Sequence, residues 1–128
     1  MARELVEGMT FTTPDVIVVD GRLLADFAEV LGSQSDDFGL PVVFRVTTEL
    51  AHQAMDSGTV PSDGIVHTSE SLHLRREPRL GDHLSGLLTV ERIHRRGGAT
   101  QLLVRSDIVA DGDTSPIAVT TSTLTFRS

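Results

Sequence analysis

The chemistry this chain could do is concentrated in one stretch. Ile65 to Leu84, IVHTSESLHLRREPRLGDHL, holds three of the five histidines. His67 is the first candidate for catalysis. A neutral imidazole moves protons near neutral pH because its ordinary pKa lies close to the working pH. The alternative is a structural histidine that pins a strand to a helix. Asp63, four residues earlier, could orient His67, or it could be a turn carboxylate of the Pro61–Gly64 loop. Strand alternation puts Glu70 on the face opposite His67, so no dyad is expected between them. Ser69, Ser71 and His73 share the face of His67. A Ser–His nucleophile pair is conceivable there, but no third orienting group is evident, and polar strand packing fits better.

A second cluster lies upstream. Glu49 and His52 are three residues apart in a helical pattern and share a face. A carboxylate so placed could activate water. The competing reading is a solvated stripe that also includes Gln53 and Asp56.

Much other chemistry is excluded. There is no cysteine, hence no thiol nucleophile, disulfide or thiolate metal site. The histidines show no HxxxH or HExxH spacing, so no metal is expected. No glycine pattern resembles a phosphate loop or a dinucleotide fingerprint. The net charge of −7 argues against nucleic acid, as does the lack of Trp and Tyr. All eleven basic residues are arginine, and the clusters Arg75–Arg79 and Arg92–Arg96 read as solvated turns. No window approaches a membrane span, and MARELVEGMTF lacks the apolar run of a signal peptide. A cytoplasmic protein is the expectation.

The elements that must position these residues follow from periodicity. Met9 to Val19 reads as extended and interrupted by Pro14. Asp20 is an N-cap candidate for a helix with Leu23, Leu24, Phe27, Val30 and Leu31 inward and Gly32 as its stop. After the polar loop Ser33–Gly39 and Pro41, a second helix is predicted from Val42 to about Asp56. Its broad apolar face, with Val43, Phe44, Val46, Leu50, Ala51, Ala54 and Met55, suits a helix wrapped by other structure. From Ile65 the period changes to two. Strands are expected over Ile65–Leu72, His83–His94, Gln101–Ala110 and Pro116–Phe126, with hairpin turns at Gly97-Gly98 and Asp111-Gly112-Asp113. Neither face of the first of these strands is strongly apolar, which suits a pocket wall. Helices followed by strands indicate an α+β protein with an antiparallel sheet, in one domain over residues 1–128.

Several of these features resemble a known family. Phe27-Ala28, Pro41 before the central helix, Val66-His67 after it, and Arg75 to Asp82 resemble the MaoC-like dehydratases of the hot-dog fold. The likeness is to the N-terminal type of MaoC domain, also seen in accessory subunits of (3R)-hydroxyacyl-carrier dehydratases. It implies an antiparallel sheet wrapped around a central helix. It also implies an acyl thioester substrate, on coenzyme A or an acyl carrier protein, whose phosphopantetheine is part of the substrate and not a cofactor. Hydration, dehydration or a related conjugate addition at an enoyl thioester is the implied activity. A thioesterase, with Glu49 or His52 activating water, is the alternative. The helix N-terminus could polarise the thioester carbonyl. On this reading His67, Asp63, Glu49 and His52 are the catalytic candidates, and Phe44, Met55 and Ser69 would touch substrate. The expected assembly is a homodimer, or a heterodimer with another hot-dog chain. One departure stands out. Catalytic members carry Asp-x-Asn-Pro-x-His after the first helix. The matching stretch here, Gly32 to Phe38 (GSQSDDF), has no histidine. A non-catalytic subunit that shapes the acyl tunnel for a catalytic partner is therefore a third reading.

Overall fold

The computed structural model describes residues 4–23, 25, 39–61 and 63–127. The predicted interruption at Pro14 separates two short strands, β1 (Thr10–Thr12) and β2 (Ile17–Val18). Asp20 caps as predicted: its Oδ1 accepts the Leu23 N–H at 2.9 Å, and residues 21–23 are helical. Leu24, Phe27, Val30, Leu31 and the stretch Gly32–Phe38 lie outside the described residues. The long helix α1 spans Gly39–Asp56, three residues earlier than the apolar pattern suggested. Pro41 lies within its first turn, where a missing N–H costs nothing.

Four longer strands follow: β3 (Val66–Leu74), β4 (His83–Arg96), β5 (Ala99–Ala110) and β6 (Ala118–Arg127). Gly97 and Gly98 turn β4 into β5 with φ of 61° and 81°, the left-handed pair that a two-residue hairpin requires. The six strands form one antiparallel sheet in the order β1-β4-β5-β6-β3, with β2 also paired to β4. The described part of the chain thus has the predicted α+β, hot-dog arrangement: α1 lies in the curve of an antiparallel sheet.

Alternation along the strands explains where the core sits. Leu84, Gly86, Leu88 and Val90 of β4, and Leu102, Val104, Ser106 and Ile108 of β5, turn to the inner face and are buried. From α1, Val42, Val43, Val46 and Leu50 meet them, all at most 1% exposed. Each such side chain contributes roughly 1.5–3 kcal/mol of transfer free energy. The helix comes closest at Gly86. A Cβ there would stand 2.7 Å from Val46 Cγ1 and 2.8 Å from Leu50 Cδ1. Only glycine lets the helix lie this low on the sheet.

The Arg75–Asp82 stretch closes the end of β3. Arg76 sends Nη1 and Nη2 to the two carboxylate oxygens of Asp82 at 3.0 and 3.2 Å, and Nε to Asp113 at 2.9 Å. Arg75 reaches the same Asp113 and the Pro116 carbonyl. Burial opposes ionisation of Asp82, but hydrogen bonds from Arg76 and from the Arg79 N–H outweigh it and hold the carboxyl below the usual range. Hydrogen bonding from Arg76, and then from Arg75, lowers Asp113 in the same way. The arginines therefore tie the loop after β3 to the β5–β6 turn.

Candidate active-site cleft

The outer turns of α1 do not all face the core, and this creates the site. Val42, Val43, Val46, Leu50 and Ala54 form one side of the helix and are buried. The adjoining side, with Phe44, Thr47, Thr48, Ala51 and Met55, overhangs the inner face of the sheet and leaves a cleft of about 720 Å³. Phe44 and Met55, two expected substrate contacts, line it. So do His67 and Asp63.

Strand pairing places the cleft floor in three successive rungs. The innermost joins Leu88, Ser106, Thr120 and Leu72 across β4, β5, β6 and β3. The next joins Val90, Val104, Ser122 and Glu70. The outermost joins Leu102, Leu124 and His67. The floor is therefore largely aliphatic toward β4 and polar toward β3.

The expectation for Glu70 is overturned here. Simple alternation puts it on the face opposite His67. The ladder between β3 and β6 instead slips between His67 and Ser69, leaving Thr68 as an extra residue. One added residue reverses the parity of the strand, so His67 and Glu70 both turn into the cleft. His67 Nε2 lies 3.9 Å from Glu70 Oε2. That is too long for a hydrogen bond but within ion-pair distance. Ser122 donates its hydroxyl to the same Oε2 at 2.6 Å. This fixes the carboxylate opposite the imidazole. Glu70 and Ser122 are thus site residues that pattern reading misses, because a bulge in a strand polar on both faces leaves no mark in hydropathy.

The same slip corrects Ser69. It was expected to touch substrate, but its hydroxyl donates to Thr123 Oγ1 at 2.8 Å, and it does not line the cleft. Glu49 and His52 are not brought to His67 either. Glu49 forms an i,i+4 ion pair with Arg45 on another side of α1, where both border a separate hollow beside β2. His52 is exposed and lines neither space. The helical face that Glu49 and His52 share turns away from the cleft, because α1 already presents Ala51 and Met55 to it.

No protein-family model matches the sequence, and no curated protein matches it. Solved structures do match by shape. A MaoC-like dehydratase from Rhodospirillum rubrum superposes with a TM-score of 0.72 at 18% identity, covering 97% of this chain and 94% of that one. The HadBC (3R-hydroxyacyl-ACP dehydratase) complex of Mycobacterium tuberculosis gives 0.67 at 18% identity, covering 94% and 97%. A monoamine oxidase regulatory protein from Archaeoglobus gives 0.77 at 11% identity, covering 100% and 98%. The chain has the hot-dog fold that MaoC-like dehydratases share. Among the described residues, no helix is long and apolar enough to cross a membrane.

Proposed function

We propose that the cleft binds the acyl group of a thioester, carried on coenzyme A or a carrier protein, and that the protein adds water to an enoyl thioester or removes it from the hydroxyacyl form. The observation that carries this reading is the pairing of His67 with Glu70 at the polar border of a largely apolar cleft. Two titratable groups facing one space can divide the work of addition. In hydration, Glu70 takes a proton from water as the water oxygen bonds to the β-carbon. Protonated His67 gives a proton to the α-carbon, where the electron pair of the double bond has moved. One proton is taken and one given, so the pair returns to its charge state when Glu70 releases its proton to solvent and His67 takes one up. Dehydration is the reverse. Asp63 lines the same cleft, and the role we assign to it is to orient His67 or to hold the incoming water.

This arrangement favours addition over thioester hydrolysis. Glu49, the carboxylate on which a hydrolase would rely, is neutralised by Arg45 away from the cleft. A second reading is a subunit that shapes an acyl tunnel for a catalytic partner. The histidine-free Gly32–Phe38 stretch supports it, as does the likeness to the HadBC (3R-hydroxyacyl-ACP dehydratase) complex. Among the described residues β3 is an edge strand, which gives such a partner or a second copy a place to pair.

The test is incubation of the purified chain with enoyl and saturated acyl thioesters. Loss of enoyl absorbance without thiol release supports the leading reading. Thiol release from saturated substrates would establish the hydrolase. Inertness alone, with activity on adding a second hot-dog chain, would establish the tunnel subunit.

A further inference from the structure

We infer that the acyl chain bound in the cleft carries, deeper than its reacting carbons, a second oxygen function, a hydroxyl or a keto group, recognised by Ser106 and Thr120. This rests on the acyl-thioester reading and narrows its substrate class.

Ser106 and Thr120 stand directly opposite each other on β5 and β6. Both line the cleft, and they are 4% and 2% exposed. Nearly buried polar side chains ordinarily have partners. These two hydroxyls have none among the described residues, yet neither is sealed off as a buried unsatisfied atom. Each therefore opens toward the cleft. Ser122, one rung outward, differs because its hydroxyl is engaged by Glu70.

The positions on either side of the pair are aliphatic. Leu88 and Leu72 flank it on its own rung, and the next rung inward, Gly86, Ile108, Ala118 and Leu74, has no polar group. A wholly saturated chain would strip water from both hydroxyls and return no hydrogen bond, which is a penalty. A chain oxygen at that depth satisfies them. A hydroxyl can donate to one and accept from the other, and a carbonyl can accept from both. Strand geometry sets the depth. One rung is two residues, so the oxygen sits roughly 7 Å inward from the Ser122–Glu70 rung. Sites built to hydrogen-bond a substrate oxygen discriminate against analogues that lack it more sharply than apolar pockets discriminate by size.

The test is equilibrium binding by calorimetry, which needs no turnover. The ligands are coenzyme A thioesters of one chain length, either unsubstituted or bearing one hydroxyl or keto group at successive carbons beyond the β-carbon. The expected result is a single favoured position, bound roughly tenfold more tightly than the unsubstituted chain. In Ser106→Ala/Thr120→Val, thermal melting confirms folding, and the expected result is loss of that preference with the affinity for the unsubstituted chain kept or raised. Equal binding of all chains by the wild type overturns the inference and leaves the thioester reading standing. So does a preference that survives in the double variant. Failure of every thioester to bind overturns both.

Discussion

Glu70 faces His67 across 3.9 Å because Thr68 is an extra residue in β3. Without that residue the two would stand two positions apart in an unbroken ladder, and simple alternation would again turn both to the cleft. Deletion of Thr68 is therefore expected to keep the pair facing the cleft and to retain hydration, with the other strands still paired. Point variants give the finer reading. His67→Ala and Glu70→Gln should each lower kcat for enoyl-thioester hydration by about 100-fold or more, the usual contribution of a general acid or base. Because the two act as a unit, the double variant should lose little beyond either single one. Steady-state kinetics on the three proteins decides it. Full activity in Glu70→Gln would remove Glu70 from the reaction and leave His67 to be judged alone.

Most of the fold was legible because its signals are local. Gly97-Gly98 and Asp111-Gly112-Asp113 announce hairpins, and the apolar period changes from helical to alternating near Ile65. The site was legible only in part. His67, Asp63, Phe44 and Met55 line one cleft. Glu70 and Ser69 were assigned to the wrong faces because parity depends on counting residues. A single bulge in the run His67–Ser71, polar on both faces, is invisible to hydropathy. Glu49 misled for a different reason: helical spacing shows which residues share a face, but not which neighbour that face meets. Ser106 carries a signal in the sequence, a hydroxyl on the otherwise aliphatic face of Leu102, Val104 and Ile108.

Acid should reach the fold through the arginine-bound carboxyls. Asp82 and Asp113 both titrate below the ordinary carboxylate range in the folded chain. Their stabilising effect is thus complete above the unfolded carboxyl range, near about pH 4, and is lost as pH falls through the lower folded values. Arg76→Ala removes the main donor to both. It is expected to lower the melting temperature at neutral pH by several degrees and to flatten the decline of melting temperature with acid. Melting curves from pH 7 down to 2 would show this. An acid profile parallel to the wild type would place the linkage on other carboxyls.

The seat of α1 on the sheet should be intolerant of any side chain at position 86. The Cβ of Gly86→Ala would press on Val46 and Leu50, both fully buried. Overpacking of this kind costs about 1–3 kcal/mol. Val46→Ala alone opens a cavity and also destabilises. The two together should recover part of the loss, because the methyl removed from Val46 is the one that the new Cβ meets. Urea unfolding of the two single variants and the double variant measures the coupling. Strict additivity would mean that the sheet shifts away from the helix rather than the side chains colliding.

Blocking the cleft should separate binding from folding. Ala51 is half-buried and turns into the cleft beside Thr47, Thr48 and Met55. Phenylalanine there projects into open space, not into the packed side of α1, so the melting temperature should stay close to that of the wild type. An acyl chain must share that space. Ala51→Phe is therefore expected to weaken binding of long-chain thioesters at least tenfold, with a smaller effect on two-carbon acyl groups. His52→Phe, one residue on, serves as the control because that position is exposed and lines no part of the cleft. If Ala51→Phe binds long chains as the wild type does, the acyl group lies elsewhere, and the role assigned to the cleft beneath α1 is wrong.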